Sequence, residues 1–131
     1  MTDTSTNIIF EGITSVSAVI NAAKQNIARR KIIRVYFDKN KIRKERGRYT
    51  FLKNAAEELN FELKIVTSDE ISSISTGKTH GGILAEVSEA DYVDFTTEDI
   101  TSKGFAAIIE GVEDPYSLGY SLRALYACGC D

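Results

Sequence analysis

The run Ile32-Ile33-Arg34-Val35-Tyr36-Phe37-Asp38 decides the fold. Its β-branched and aromatic residues favour a pleated, half-buried strand. The stretch Lys39 to Arg48 follows, strongly basic and centred near Gly47, and reads as a loop. Phe51, Leu52, Ala55 and Leu59 then recur at helical spacing, so the unit is strand, basic loop, helix. The same alternation continues outward on both sides. Upstream, Ile8, Ile9 and Phe10 form a short apolar strand closed by Gly12. Thr14 or Ser15 can cap a helix whose apolar stripe is Val16, Val19, Ile20, Ala23 and Ile27. Downstream, Phe61, Leu63, Ile65 and Val66 make a third strand. Thr67 and Glu70 have capping-box spacing ahead of a short helix carrying Ile71 and Ile74 and ended by Gly77. Gly82 to Val87 is the fourth strand.

The β-α-β-α-β-α-β order predicts a small layered α/β domain over residues 7–88, with right-handed crossovers. Residues 88–102 turn acidic and Thr-rich, as a linker would. Phe105 to Ile109 then read as a strand, Gly111 to Asp114 as a turn, and Pro115 as the first turn of a final helix. On that helix Leu118, Leu122 and Leu125 share one side, and Tyr116, Tyr120 and Arg123 the other. One strand and one helix do not complete a core, so this segment either packs on the first domain or another subunit or, as the favoured expectation, opens a second domain of a longer protein. The expected boundaries are a first domain over 1–90, a linker over 91–104 and the fragment over 105–131.

Charge is unevenly distributed. The 131 residues carry a net charge of -3, yet residues 24–53 hold twelve of the sixteen bases against only Asp38 and Glu45. That window carries +10 and the rest of the chain -13, a dipole that draws phosphates to one patch while discouraging indiscriminate binding. Cys128 and Cys130 are too few for a disulfide framework and lack the second ligand pair of a zinc site. With no basic leader and no apolar run of membrane-spanning length, the expectation is a soluble cytoplasmic protein with no membrane partner.

Lys39, Lys41, Arg43, Lys44, Arg46 and Arg48, with Arg29 and Arg30 upstream, are the candidate RNA-binding cations. The guanidinium fork matches phosphate, and a flexible loop can follow an irregular RNA backbone. The plainer alternative is a solvated surface loop. Only Tyr49 abuts the run, so base stacking is thinly supported. His80, the sole histidine, adjoins Gly81 and Gly82, where backbone can approach another surface; it is either an RNA contact or a local hydrogen-bonding cap. No second histidine or thiolate cluster supports a metal. The cysteines read as incidental or core thiols.

Phe10-Glu11-Gly12, the strand Ile32 to Phe37, the helix Phe51 to Leu59 and Thr79-His80-Gly81-Gly82-Ile83 together resemble the N-terminal substrate-binding domain of the SpoU/TrmH family of RNA ribose 2′-O-methyltransferases. That domain is built like the small ribosomal proteins that hold kinked RNA. Asp114 to Ala124 resembles the first motif of the family's knotted methyltransferase (SPOUT) domain, with Ser117 where the family has asparagine. Gly81 stands where the family has glutamine. The resemblance implies ribosomal or transfer RNA as partner and Arg123 as the catalytic group, stabilising a developing ribose alkoxide and gripping a neighbouring phosphate. A solvent-facing arginine is the plainer reading of Arg123. The resemblance also implies a homodimer, a partner subunit supplying companion groups, and S-adenosylmethionine as methyl donor to the full-length enzyme. No cofactor-binding residue is assigned in this chain, because the segments that hold the cofactor in the family lie beyond residue 131. Two other readings stay open: a stand-alone binder of structured RNA or assembly factor without catalysis, and a small-molecule-binding α/β domain. The latter lacks a G-x-G-x-x-G or Walker pattern.

Overall fold

The computed structural model describes residues 6–91 and 104–130. The chain divides into two compact units, 1–92 and 93–131. In the first, β1 (Ile8–Glu11), α1 (Gly12–Lys24), β2 (Ile32–Asp38), α2 (Arg46–Leu59), β3 (Glu62–Val66), α3 (Ser68–Ile74) and β4 (Ile83–Val87) follow in order, with a 3-10 turn at Lys39–Lys41. The four strands form one mixed sheet in the order β1-β4-β2-β3. β2 and β3 are parallel, joined by α2, while β4 returns antiparallel between β1 and β2.

Alternation along the strands builds a core on each face of the sheet. Val35, Phe37, Ile83, Ala85 and Val87 face α1 and α2, where Val16, Val19, Ile20, Leu52 and Ala55 meet them. Tyr36 and Leu84 face the other way, onto Ile71 of α3 and Val66. Ile32 breaks the alternation, because it joins the same core as Val35 despite opposite parity. A bulge accounts for this: the register shifts between Ile32 and Arg34, so two steps on β2 oppose one on β4.

The capping box at Thr67 is formed, the Thr67 hydroxyl accepting from the Glu70 amide at 3.2 Å and the Glu70 carboxylate from the Thr67 amide at 2.8 Å. Thr67→Ala is expected to lower unfolding free energy by about 1 kcal/mol in urea titration.

Three expectations need correction. α1 begins at Gly12, after Glu11 in extended conformation, so neither Thr14 nor Ser15 caps it. It ends at Lys24, because Asn26 adopts a left-handed conformation, and Ile27 leaves the stripe to stand 67% exposed. The basic segment is not one loop: after the 3-10 turn the chain coils into α2 by Arg46, placing Arg46, Gly47 and Arg48 in a helix.

In the second unit, Pro115–Ala127 is helical (α4), with Asp114 as N-cap. Phe105 to Ile109 forms no strand; all strands among the described residues lie between Ile8 and Val87. A strand exists only through the ladder it shares with a neighbour, and apolar composition alone cannot supply one. Most of the expected 91–104 linker lies outside the described residues. Among the described residues no helix is long and apolar enough to cross a membrane.

Candidate nucleic-acid interface

One end of the sheet collects the carboxyl ends of β1, β2 and β3 and the amino end of β4. Buried Asp38, at the end of β2, organises it. Its Oδ1 accepts from the Asn40 amide at 2.8 Å, setting the 3-10 turn, and its Oδ2 accepts from the Ser68 hydroxyl at 2.6 Å at the start of α3. Its own amide donates to the Gly82 carbonyl at 2.9 Å. Asn40 Nδ2 closes the ring by donating to Ser68 Oγ at 3.2 Å. The turn that presents the basic segment is thus tied to α3 and to β4.

On that turn the cations fall into two sets. Glu45, the one acid, pairs with Arg48 at 3.0 Å and with Lys41 at 3.9 Å. Lys39, Arg43, Lys44 and Arg46 are exposed and have no ion-pair partner among the described residues. No acid stands in the first turn of α2, although a helix N-terminus favours negative charge. The local structure therefore offers these four cations no compensating charge among the described residues.

His80 lies at the same end, in the loop between α3 and β4. Its Nδ1 accepts from the Gly82 amide at 3.0 Å, which leaves Nε2 as the donor available to a ligand. It is thus a local cap, whatever else it contacts. Glu11, at the end of β1, reaches the same loop: its carboxylate accepts from the amides of Thr76 and Gly77 and from the Thr76 hydroxyl. Those hydrogen bonds, Gly77 first, hold its pKa below the usual carboxylate value. A lowered folded-state pKa stabilises the fold above the ordinary carboxylate range and is lost as pH falls through the folded value, so the contact is intact at neutral pH.

The remaining candidate cations are elsewhere. Arg29 and Arg30 precede β2, at the opposite end of a seven-residue strand, about 20 Å from the basic turn. Arg30 donates to the Ser88 carbonyl at 3.1 Å and lies over the Phe10 ring. Both arginines border an apolar hollow lined by Phe10, Ala18, Ala22 and Ile27. Arg34 belongs to the sheet surface, bonded to Tyr36, Glu62 and Glu86, and the first two raise its pKa, Tyr36 first. The candidate cations and Arg34 therefore fall into three structures, and one of them presents unpaired charge at the loop-bearing end. Tyr49 packs against Phe37, ring centroids 6.3 Å apart, and is partly buried against the core.

In the second unit, the Asp114 carboxylate accepts from the Tyr116 and Ser117 amides and from the Ser117 hydroxyl at 2.9 Å, which lower its pKa, the hydroxyl first. Ser117 thereby serves the helix cap. Arg123 is exposed, yet it borders the same hollow as Leu122 and Leu125 instead of keeping to the opposite side. Its guanidinium lies close to Gly119, so the long side chain crosses the helix surface. That hollow is otherwise lined by Ala107, Ile109, Tyr126 and Cys130. It offers no carboxylate to the ribose hydroxyls of S-adenosylmethionine. Among the described residues no group of three metal-ligating side chains converges, and both cysteines are free thiols.

Glu11, Asp38 and Ser68 were not legible as members of this end of the sheet. Asp38-x-Asn40 could have signalled a side-chain-capped turn; nothing local marks Glu11, whose partners are 65 and 66 residues away.

Residues 11–93 match the family described as RNA 2′-O ribose methyltransferase substrate binding. The 23S rRNA (guanosine-2′-O-)-methyltransferase RlmB of Pasteurella multocida is 30% identical over 122 residues, covering 90% of this chain and 46% of its own length. Its counterparts in Photorhabdus laumondii and Coxiella burnetii are 29% and 28% identical, over 92% and 90% of this chain. The chain spans about half the length of the curated relatives it matches. The match runs from the end of β1 past the end of β4, through the whole loop-bearing end of the sheet, and the chain belongs to the SpoU/TrmH family of RNA ribose 2′-O-methyltransferases, of which it carries the substrate-binding region.

Proposed function

We propose that this chain is the RNA-recognition portion of a ribosomal RNA ribose 2′-O-methyltransferase, gripping folded RNA at the loop-bearing end of the first unit's sheet. One observation carries the reading: Lys39, Arg43, Lys44 and Arg46 stand exposed and unpaired among the described residues, beside a helix N-terminus that their charge does not help. A polyanion is the ligand that would use them. The relatives' named substrate, 23S rRNA, supports ribosomal over transfer RNA. An α/β sandwich whose loops converge at one end suits an irregular, kinked backbone better than a regular duplex groove. Arg29 and Arg30, at the far end, serve as a second, weaker contact, and His80 Nε2 as a donor to the RNA. In this reading residues 1–90 are the recognition domain, 91–104 the linker and 105–131 the opening of the methyltransferase domain. Arg123 then acts within a complete cytoplasmic enzyme, a homodimer that takes its methyl group from S-adenosylmethionine.

Filter binding with structured 23S rRNA fragments between about 50 and 200 mM salt tests the proposal. Neutralising ~4 phosphates predicts a log-log salt slope near -3 to -4. Absent or salt-insensitive binding overturns it.

A further inference from the structure

We propose that Glu11 is the positioning residue of the RNA-facing end: its carboxylate latches the loop 75–82 and so fixes where His80 meets the ligand. The inference rests on the RNA-binding reading and adds a residue to it. Between the end of α3 at Ile74 and the start of β4 at Ile83, the chain crosses without secondary structure. Its far half is held by Asp38, through the Gly82 carbonyl, and by the His80 cap. Its near half meets the rest of the domain through Glu11. Oε1 accepts from the Gly77 amide at 3.0 Å and from the Thr76 hydroxyl at 3.0 Å as well as from the Thr76 amide; Oε2 accepts from the Gly77 amide at 3.1 Å.

Gly77 is fitted to this contact. A Cβ built there would stand 2.6 Å from Glu11 Oε2, and the Gly77 backbone does not need glycine for its own conformation. Gly12, next to Glu11, adds an ordinary van der Waals contact, its Cβ position 3.7 Å from the Thr79 carbonyl. Glu11 therefore holds residues 76 and 77 from the β1–α1 junction, with Gly12 touching Thr79, and the next residue is His80. Charge-assisted hydrogen bonds to two successive amides are among the stronger tethers a loop can have.

The latch makes a prediction opposite in sign to simple electrostatics. Removing an acid beside a polyanion's binding surface should tighten binding if charge alone matters. Glu11→Gln is expected instead to weaken binding of a structured 23S rRNA fragment roughly tenfold, because the loop loses its charge-assisted anchor. Gly77→Ala should weaken it similarly while leaving the charge in place, since the new methyl displaces the flexible carboxylate end. The double variant should bind no worse than the weaker single, as expected for two lesions in one contact. In both variants the amides of Thr76 and Gly77 should exchange faster while those of Val35 and Ala85 stay protected. Wild-type protein that fails to bind RNA overturns the functional reading beneath this inference. Wild-type binding that neither substitution weakens, or that Glu11→Gln tightens, overturns the latch alone.

Discussion

Replacing Arg43, Lys44 and Arg46 together by glutamate is expected to cut affinity for structured ribosomal RNA by about a hundredfold at ~100 mM salt and to flatten the log-log salt slope by roughly 2 to 3. The size follows from what these side chains lack. Each is exposed and without an ion-pair partner among the described residues, so its full charge is available to phosphate. Stability should move the other way or hardly at all. Arg46 opens α2 and no acid occupies that first turn, so glutamate there complements the helix dipole by a few tenths of a kcal/mol. Thermal unfolding should therefore stay within a few degrees of wild type. Reversal at Arg34 should give the contrary pattern, because that arginine is bonded to Tyr36, Glu62 and Glu86. There the melting temperature falls, with little specific effect on the salt slope. Calorimetric melts beside filter binding separate the two, and a triple variant that binds normally would remove the basic turn from the interface.

The contrast between Arg43 and Arg34 marks where sequence reading stops. Both sit in the same basic window, and although the strand pattern sets Arg34 apart from the basic segment, it does not say which partners hold it. Arg34 is committed by residues 28 and 52 positions away, which only the β2–β3 and β2–β4 registers bring alongside. Local signals were legible where they decide structure locally. The β-branched run of β2, the Thr67 capping box and the stripe of Leu52 and Ala55 were each readable from neighbours within one or two turns. Helix ends were not, because tertiary packing overrides weak propensities: α2 extends back through Gly47 to Arg46 once its buried stripe is anchored. The antiparallel return of β4 is likewise non-local, since apolar strands look alike whichever way they run. The clustering of charge marked the carboxyl end of β2, whereas the Glu11 and Asp38 contacts that shape that end needed the fold.

Gly82→Ala is expected to couple these levels, lowering unfolding free energy by about 2–4 kcal/mol and weakening RNA binding in the fraction that stays folded. Gly82 is buried with φ at +80°, a region that costs an L side chain of order 1–3 kcal/mol. Space adds to the strain. A Cβ there would lie 2.8 Å from Lys41 Cδ and 3.1 Å from Asp38 Cβ. The lysine stem can swing aside, but the Asp38 Cβ belongs to the end of β2 and cannot move without disturbing the bonds that Asp38 makes to Asn40, Ser68 and the Gly82 carbonyl. The variant therefore pushes directly on the residue that orients the basic turn. Lys41→Ala in the same background tests this division. Emptying the Lys41 position should recover only the smaller, steric share of the lost stability in urea titration, while strain at φ +80° persists. Full recovery would locate the whole defect in the lysine contact and leave Asp38 without the organising part assigned to it.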